Sequence, residues 1–264
     1  MKITLLADDQ KKPGFHAEFG LAMHLDYRNR SYLFDTGAGT ALVPNLRQAG
    51  IAPESIARVI LSHGHRDHTG GLCHLSPEEI YACQGVAMPH YSRHDDGKVH
   101  CLTMPEAAKK VLSQTVFHPV SAFQEIAKGV FLTGPVPRVT AEDCGGNFFH
   151  DKTCTMPDDI PEETALLTAG GVLVTGCCHA GILNTLFFCQ KIHPEIKIHT
   201  IVGGLHLRCA DTARLALTAA FLKRIRIRRL ALLHCTGEAA IAYLKNALPD
   251  CRFDELVLGE TKDF

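Results

Sequence analysis

The sequence predicts mixed α and β structure on three observations, with a length that suits one large domain or two small ones and no linker of biased composition dividing residues 1–264. Short β-branched and aliphatic runs crowd the first part of the chain, where period-two patterning marks strands. Units of one strand followed by one helix occur in both halves. Three later strands each finish in histidine, at VTGCCH (His179), IVGGLH (His206) and ALLH (His234). Loops at strand ends along one sheet edge are where sites assemble.

Taken in order, KITLLA at residues 2–7 reads as the first strand. GLAMHLDYRNRSYLFDTG reads as a hairpin with a polar turn at 26–30 and a buried strand YLFD. TALVPNLRQAG at 40–50 reads as a helix closed by glycine, with Pro44 in its first turn. IARVILS at 56–62 is a short buried strand that delivers His63. Beyond it come a strand at IYAC, a His- and Asp-rich loop over 91–100, a helix at PEAAKKVLSQ and a strand at GVFLTG. Residues 136–162 are polar and read as a long surface loop, a kind that is usually functional or mobile. TALLTAGGVLVTG is strand, turn, strand. Helices are predicted at ILNTLFFCQKI, DTARLALTAAFLKRI and EAAIAYLKNAL, strands at IHTIVGG and RLALLHCTG, and a last edge strand at DELVLG.

Composition excludes several partners. A formal net charge of −1 gives no basic face for nucleic acid. KRIRIRR at 223–229 reads as a helix end and a strand start with solvated charges. No apolar run approaches the roughly 20 residues of a membrane span, and MKITLLADDQKK is no signal peptide, so a cytoplasmic, membrane-free protein is expected. The 11 cysteines are odd in number and lack CxxC pairs, which reads as reduced thiols rather than a disulfide frame.

The chemistry concentrates in LSHGHRDHTGGL at 61–72. His63 and His65, two apart in an extended segment, project the same way and can grip one metal ion. A turn before Thr69-Gly70-Gly71 would swing Asp67 and His68 toward a second. Imidazole and carboxylate suit zinc, with manganese or iron(II) as alternatives. Four ligand-bearing residues in the order HxHxDH leave little room for a merely solvated strand end. Asp158, Asp159, Glu162 and Glu163 read as a solvated acidic stretch, with a place at the site mouth as the rival. Cys177 and Cys178 read as a buried pair, with thiolate ligation as the rival.

HGHRDHTGG resembles the signature of the metallo-β-lactamase superfamily, and YLFDTGAG around Asp35 looks like its first motif. GCCHAGILNT, IVGGLHL and HCTG resemble one branch, whose named members are 7,8-dihydropterin-6-methyl-4-(β-D-ribofuranosyl)aminobenzene-5′-phosphate synthases; others in it are known only as metal-dependent hydrolases. The resemblance implies an α+β fold, a four-layer αββα sandwich holding two divalent metals. It places His63 and His65 on one metal, Asp67, His68 and His234 on the other, and Asp35 behind the ligands as their support. Superfamily members usually carry a bridging aspartate after a strand ending in glycine. Here VLVTG is followed by Cys177, Cys178 and His179, so His179 is the candidate that completes the first metal, with Cys178 as its rival.

Two metals about 3.5–4 Å apart can share a hydroxide and bring its pKa toward neutrality. The expectation is therefore a metal-dependent hydrolase of an ester or phosphoester-type small molecule, with Asp67 and His206 as catalytic candidates. His206 would touch a substrate that could carry a phosphate. The alternatives are a synthase joining a pterin to a ribofuranosylaminobenzene phosphate, and an iron-dependent oxidoreductase of the same fold.

Overall fold

The computed structural model describes residues 1–94, 96–142, 144 and 146–264. The chain divides into two compact units. The first comprises Met1–Ser121, Gly146–Glu162 and Leu256–Phe264, the second Ala122–Gly145 and Glu163–Glu255.

In chain order the first unit contains β1 (Lys2–Ala7), β2 (Ala22–Tyr27), β3 (Arg30–Phe34), α1 (Leu42–Gln48), β4 (Arg58–Ile60), α2 (Arg66–Thr69), β5 (Glu79–Ala82), β6 (Tyr91–Arg93), β7 (Val99–Cys101), α3 (Glu106–Gln114) and β8 (Val116–Pro119). The second unit contains β9 (Gln124–Ala127) and β10 (Val130–Leu132), then β12 (Leu166–Thr168), β13 (Val172–Thr175), α4 (Ile182–Ile192), β14 (Thr200–Gly203), α5 (Thr212–Arg224), β15 (Arg229–Leu232), α6 (Glu238–Ala247) and β16 (Arg252–Phe253). The remaining strands, β11 (Phe148–Phe149) and β17 (Thr261–Asp263), belong to the first unit.

The first unit's main sheet has the order β17-β1-β2-β3-β4-β5-β8. Its β17 to β3 half is antiparallel, and β3, β4, β5 and β8 run parallel. Parallel pairing of Phe34 with Ile60 brings the C-terminal ends of β3 and β4 to one edge, so Asp35 and Ser62 meet there. Leu6, Leu33, Val59, Leu61 and Ile80 form its core with Leu42, Leu46 and Leu72.

The second unit repeats the logic with β16-β15-β14-β13-β12-β10-β9. Here β13, β14, β15 and β16 are parallel. Their C-terminal ends share one edge, as the three histidine-terminated strands required. Leu173, Ile201 and Leu230 from the strands pack with Leu186, Leu222 and Leu244 from α4, α5 and α6. Asp211 caps α5 by accepting the Arg214 N–H at 2.8 Å, and Lys223 and Arg224 sit in its last turn, where the helix dipole favours cations. KRIRIRR is thus a helix end followed by the start of β15, as expected.

Several elements differ from expectation. The segment over 91–100 holds β6 and β7, and the long loop over 136–162 holds β11; the three form a small antiparallel sheet. The expected loops also contain Asp95, Asp143 and Gly145, which lie outside the described residues. DELVLG is not a strand: β16 precedes it and β17 follows it. These pieces are two or three residues long, too short for periodicity to reveal. No helix among the described residues is long and apolar enough to cross a membrane.

Candidate metal centre

In the first unit, β4 ends at Ile60 and the chain bends through Ser62, His63 and Gly64. His65 is still extended (φ −67°, ψ 143°), and α2 begins at Arg66. This switch from extended chain to helix separates the His63–His65 pair from Asp67 and His68. The rings of His63 and His65 lie 4.6 Å apart between centroids, those of His63 and His68 4.2 Å. His68 Nε2 stands 3.6 Å from Asp67 Oδ2.

The glycines after the motif are steric necessities. A β-carbon at Gly70 would collide with the Ala38 carbonyl oxygen, and one at Gly71 with that of Thr36. The turn carrying the ligands can therefore dock on the segment after β3 only without side chains there. Thr36 donates both its N–H (2.7 Å) and its hydroxyl (2.9 Å) to the His68 carbonyl, which fixes that docking.

Asp35 organises the imidazoles. It is fully buried and adopts a left-handed backbone, φ +57°. Its Oδ1 accepts the Ser62 N–H and its Oδ2 the Ser62 hydroxyl, each at 2.7 Å. Oδ2 also meets His68 Nδ1 at 2.7 Å. A carboxylate only accepts, so His68 carries a proton on Nδ1, which leaves Nε2 as the nitrogen that can face a cation. The Ser62 hydroxyl, having given its proton to Asp35, accepts from His63 Nδ1 at 2.9 Å. His63 is thereby set in the same tautomer. Burial drives the His65 pKa down to about 3, against the opposing pull of Asp67. A neutral imidazole with a defined tautomer, its other nitrogen held by an acceptor, is the form that binds a divalent ion. The donor set fits such a metal: three buried imidazoles and the Asp67 carboxylate.

In the second unit, β13, β14 and β15 deliver His179, His206 and His234 to one edge. His206 and His234 both adopt φ +49°, and Cys178 φ +62°. Backbone held in this sparsely populated region clusters at functional sites. Glu163 Oε1 accepts the His179 N–H at 2.7 Å and Oε2 the Ala180 N–H at 2.8 Å, while Arg138 donates to the His179 carbonyl at 2.8 Å. Burial pushes Glu163 up to about 7, against those two N–H donors and Arg138. The His206 ring lies 4.5 Å from that of His179, and its Nδ1–H donates to the Cys144 carbonyl at 2.8 Å.

The two neighbouring cysteines part company. Cys178 packs in the apolar core and meets the Thr185 hydroxyl at 3.5 Å; burial raises its thiol well above the usual range. Cys177 instead offers its sulfur within 4.8 Å of donor atoms on His234 and Cys235. At Cys235 the upward push of burial is outweighed by Cys177, His234 and His206, which bring the thiol down to about 5.

The acidic stretch corrects an expectation. Asp159 is exposed, but Asp158, Glu162 and Glu163 are buried. Asp158 pairs with His90 (2.6 Å) and lies 3.3 Å from His150, while Glu162 accepts the Gly64 N–H at 3.2 Å. His150, which no strand pattern precedes in the sequence, directly follows β11. His90 carried no signal at all: PHY is neither a motif nor a strand end.

The chain is similar to several known proteins. Residues 18–135 match the model of the metallo-β-lactamase superfamily. A 7,8-dihydropterin-6-methyl-4-(β-D-ribofuranosyl)-aminobenzene-5′-phosphate synthase of Methanocaldococcus jannaschii is 26% identical, over 90% of this chain and 88% of that protein. The crystal structure of a metal-dependent hydrolase of the β-lactamase superfamily superposes with a TM-score of 0.86 at 27% identity, covering 100% of this chain and 99% of that one. An isothiocyanate hydrolase from Delia radicum gut bacteria shares the fold at 14% identity, with a TM-score of 0.57 over 100% of this chain and 99% of that one.

Proposed function

We propose that this chain, whose residues 18–135 match the metallo-β-lactamase superfamily, is a metal-dependent hydrolase of that superfamily acting on an ester or phosphoester of a small molecule. The observation that carries the reading is the Asp35 arrangement, which holds a proton on Nδ1 of both His63 and His68 and so sets the tautomer in which Nε2 is the nitrogen that can bind a cation. His63, His65 and His179 would hold one ion, and Asp67, His68 and His234 the second. Zinc suits these donors, with manganese or iron as alternatives.

When bound, the metals supply a water nucleophile at neutral pH and Lewis-acid polarisation of the carbonyl or phosphoryl oxygen. The protein's own groups do the rest. Asp35 and Ser62 keep the His63 and His68 protons on Nδ1. Asp67, bearing a negative charge beside His68, offsets the cationic charge and can accept a proton released in the reaction. His206, its ring oriented by the Nδ1–H bond to the Cys144 carbonyl, would contact the substrate. No serine or cysteine nucleophile is needed.

A second reading, a synthase joining a pterin to a ribofuranosylaminobenzene phosphate, is favoured by the name and near full-length coverage of the Methanocaldococcus jannaschii relative. One screen separates the two. The metal-loaded protein is offered phosphodiesters, phosphomonoesters, lactones and thioesters, and in parallel a 6-methyl-dihydropterin bearing a leaving group together with ribofuranosylaminobenzene phosphate. Chelator-sensitive turnover of a member of the first panel supports hydrolysis; product formation only in the second supports the synthase.

A further inference from the structure

Gly64, between His63 and His65, has a partner that the proposed chemistry does not use. Its N–H donates to Glu162 Oε1 at 3.2 Å. The same oxygen lies 3.3 Å from His90 Nε2, and the opposite ring nitrogen, His90 Nδ1, lies 2.6 Å from Asp158 Oδ2. Asp158 is anchored in turn: Oδ1 accepts the Ile160 N–H at 2.7 Å and lies 3.3 Å from His150 Nε2. The His90 and Asp158 side chains are wholly buried and Glu162 nearly so.

Two buried carboxylates and an imidazole are costly to desolvate, and an apolar cluster would fill the same space without that cost. What the polar row adds is direction. It ends on a single peptide N–H, that of the residue joining two candidate ligands. Steric fit points the same way. A β-carbon at residue 64 would come within 2.6 Å of His90 Nε2 and would collide with the Val86 carbonyl oxygen, so the loop backbone lies directly on the His90 ring. That ring also stands edge-on to His65, with centroids 5.2 Å apart. The backbone ties in from the other side: Leu102 N–H donates to the His90 carbonyl (2.8 Å), and Arg66 N–H to the Leu102 carbonyl (2.6 Å).

We propose that Glu162, packed against the His90 ring that Asp158 anchors, is a positioning residue that grips the Gly64 peptide and so sets the angle between His63 and His65 for metal binding. The inference rests on the reading of those histidines as metal ligands. Partners one step removed from a metal typically change its affinity by about 10- to 100-fold when lost.

The test uses metal-free full-length protein, cobalt(II) and zinc(II), with dissociation constants from chelator competition and the cobalt visible spectrum recorded alongside. Glu162→Ala should weaken metal binding about 10- to 100-fold and shift the cobalt bands. Glu162→Gln, which retains an oxygen to accept the Gly64 N–H, should stay within about threefold of wild type. Asp158→Asn, acting one link further out, should fall between them; it also serves if Glu162→Ala does not fold. Wild-type affinity and spectrum in Glu162→Ala or Asp158→Asn, with only the metal-free melting temperature lowered, would overturn the positioning role and leave the metal reading intact. A wild-type protein that binds neither ion would overturn both.

Discussion

Replacing Asp35 with asparagine isolates what its charge does. The backbone at this position is left-handed, a conformation asparagine tolerates, so the substitution adds little strain. Three bonds converge on the carboxylate, all at 2.7 Å: from the Ser62 N–H, the Ser62 hydroxyl and His68 Nδ1. The amide oxygen can keep the first. The amide nitrogen cannot accept the other two. Two bonds to a buried charge are lost, each worth about 1.5–3 kcal/mol. Part returns if Ser62 reverses its hydroxyl and His68 moves its proton to Nε2, leaving a net loss of about 2–3 kcal/mol in metal-free stability. That rescue has a consequence: a proton on His68 Nε2 occupies the lone pair needed for metal. Affinity should therefore fall about 10- to 100-fold, or about 1.4–2.7 kcal/mol. Urea unfolding of the metal-free variant gives the first quantity and zinc titration against a chelating dye the second. An Asp35→Asn variant with wild-type zinc affinity would refute the claim that Asp35 sets the His68 tautomer.

Other outcomes follow from the same geometry. His65 is held neutral, with a pKa of about 3 against an ordinary 6.5. The unfolded chain takes up this proton below about pH 6.5 while the folded chain does not. Metal-free stability should thus be complete above about pH 6.5 and fall toward about pH 3 by about 1.4 kcal/mol per unit from this residue, a slope component that His65→Gln removes in urea titrations at about pH 7.5, 6 and 5. Gly71→Ala should cost about 1–3 kcal/mol in the same assay, because its β-carbon meets the Thr36 carbonyl oxygen. His206→Ala should retain its metal and lose kcat/KM on whatever substrate the screen finds; loss of a full metal equivalent would reassign it as a ligand. His179→Ala should lose metal and Cys178→Ser should keep it, since Cys178 is committed to the core; the opposite result in elemental analysis would mark a thiolate site.

Much of this was legible in the sequence because some constraints are local. HxHxDH is read directly, and the strand-end histidines announce themselves because parallel strands put every C-terminal end on one side. The glycine pair after the motif reads as a turn, although its steric reason lies far back along the chain at Thr36 and Ala38. What the sequence hid depends on partners distant along the chain. Asp158, Glu162 and Glu163 look solvated in a polar stretch, yet each is buried because its partner, His90, the Gly64 N–H or the His179 N–H, comes from another element. The strands β6, β7 and β11 are too short to carry a period. Cys177 and Cys178 are chemically identical neighbours, and only the turn at Cys178 sends one to the core and the other toward His234.

The metal content of the purified protein bears most directly on this account. Wild-type protein, His63→Ala and His68→Ala are produced with zinc, manganese and iron all supplied, then quantified by elemental analysis per folded chain. The account predicts close to two equivalents of divalent metal in the wild type, with the His63 and His68 variants each losing at least one. A folded wild-type chain carrying no transition metal, or histidine variants that retain the full complement, would contradict it.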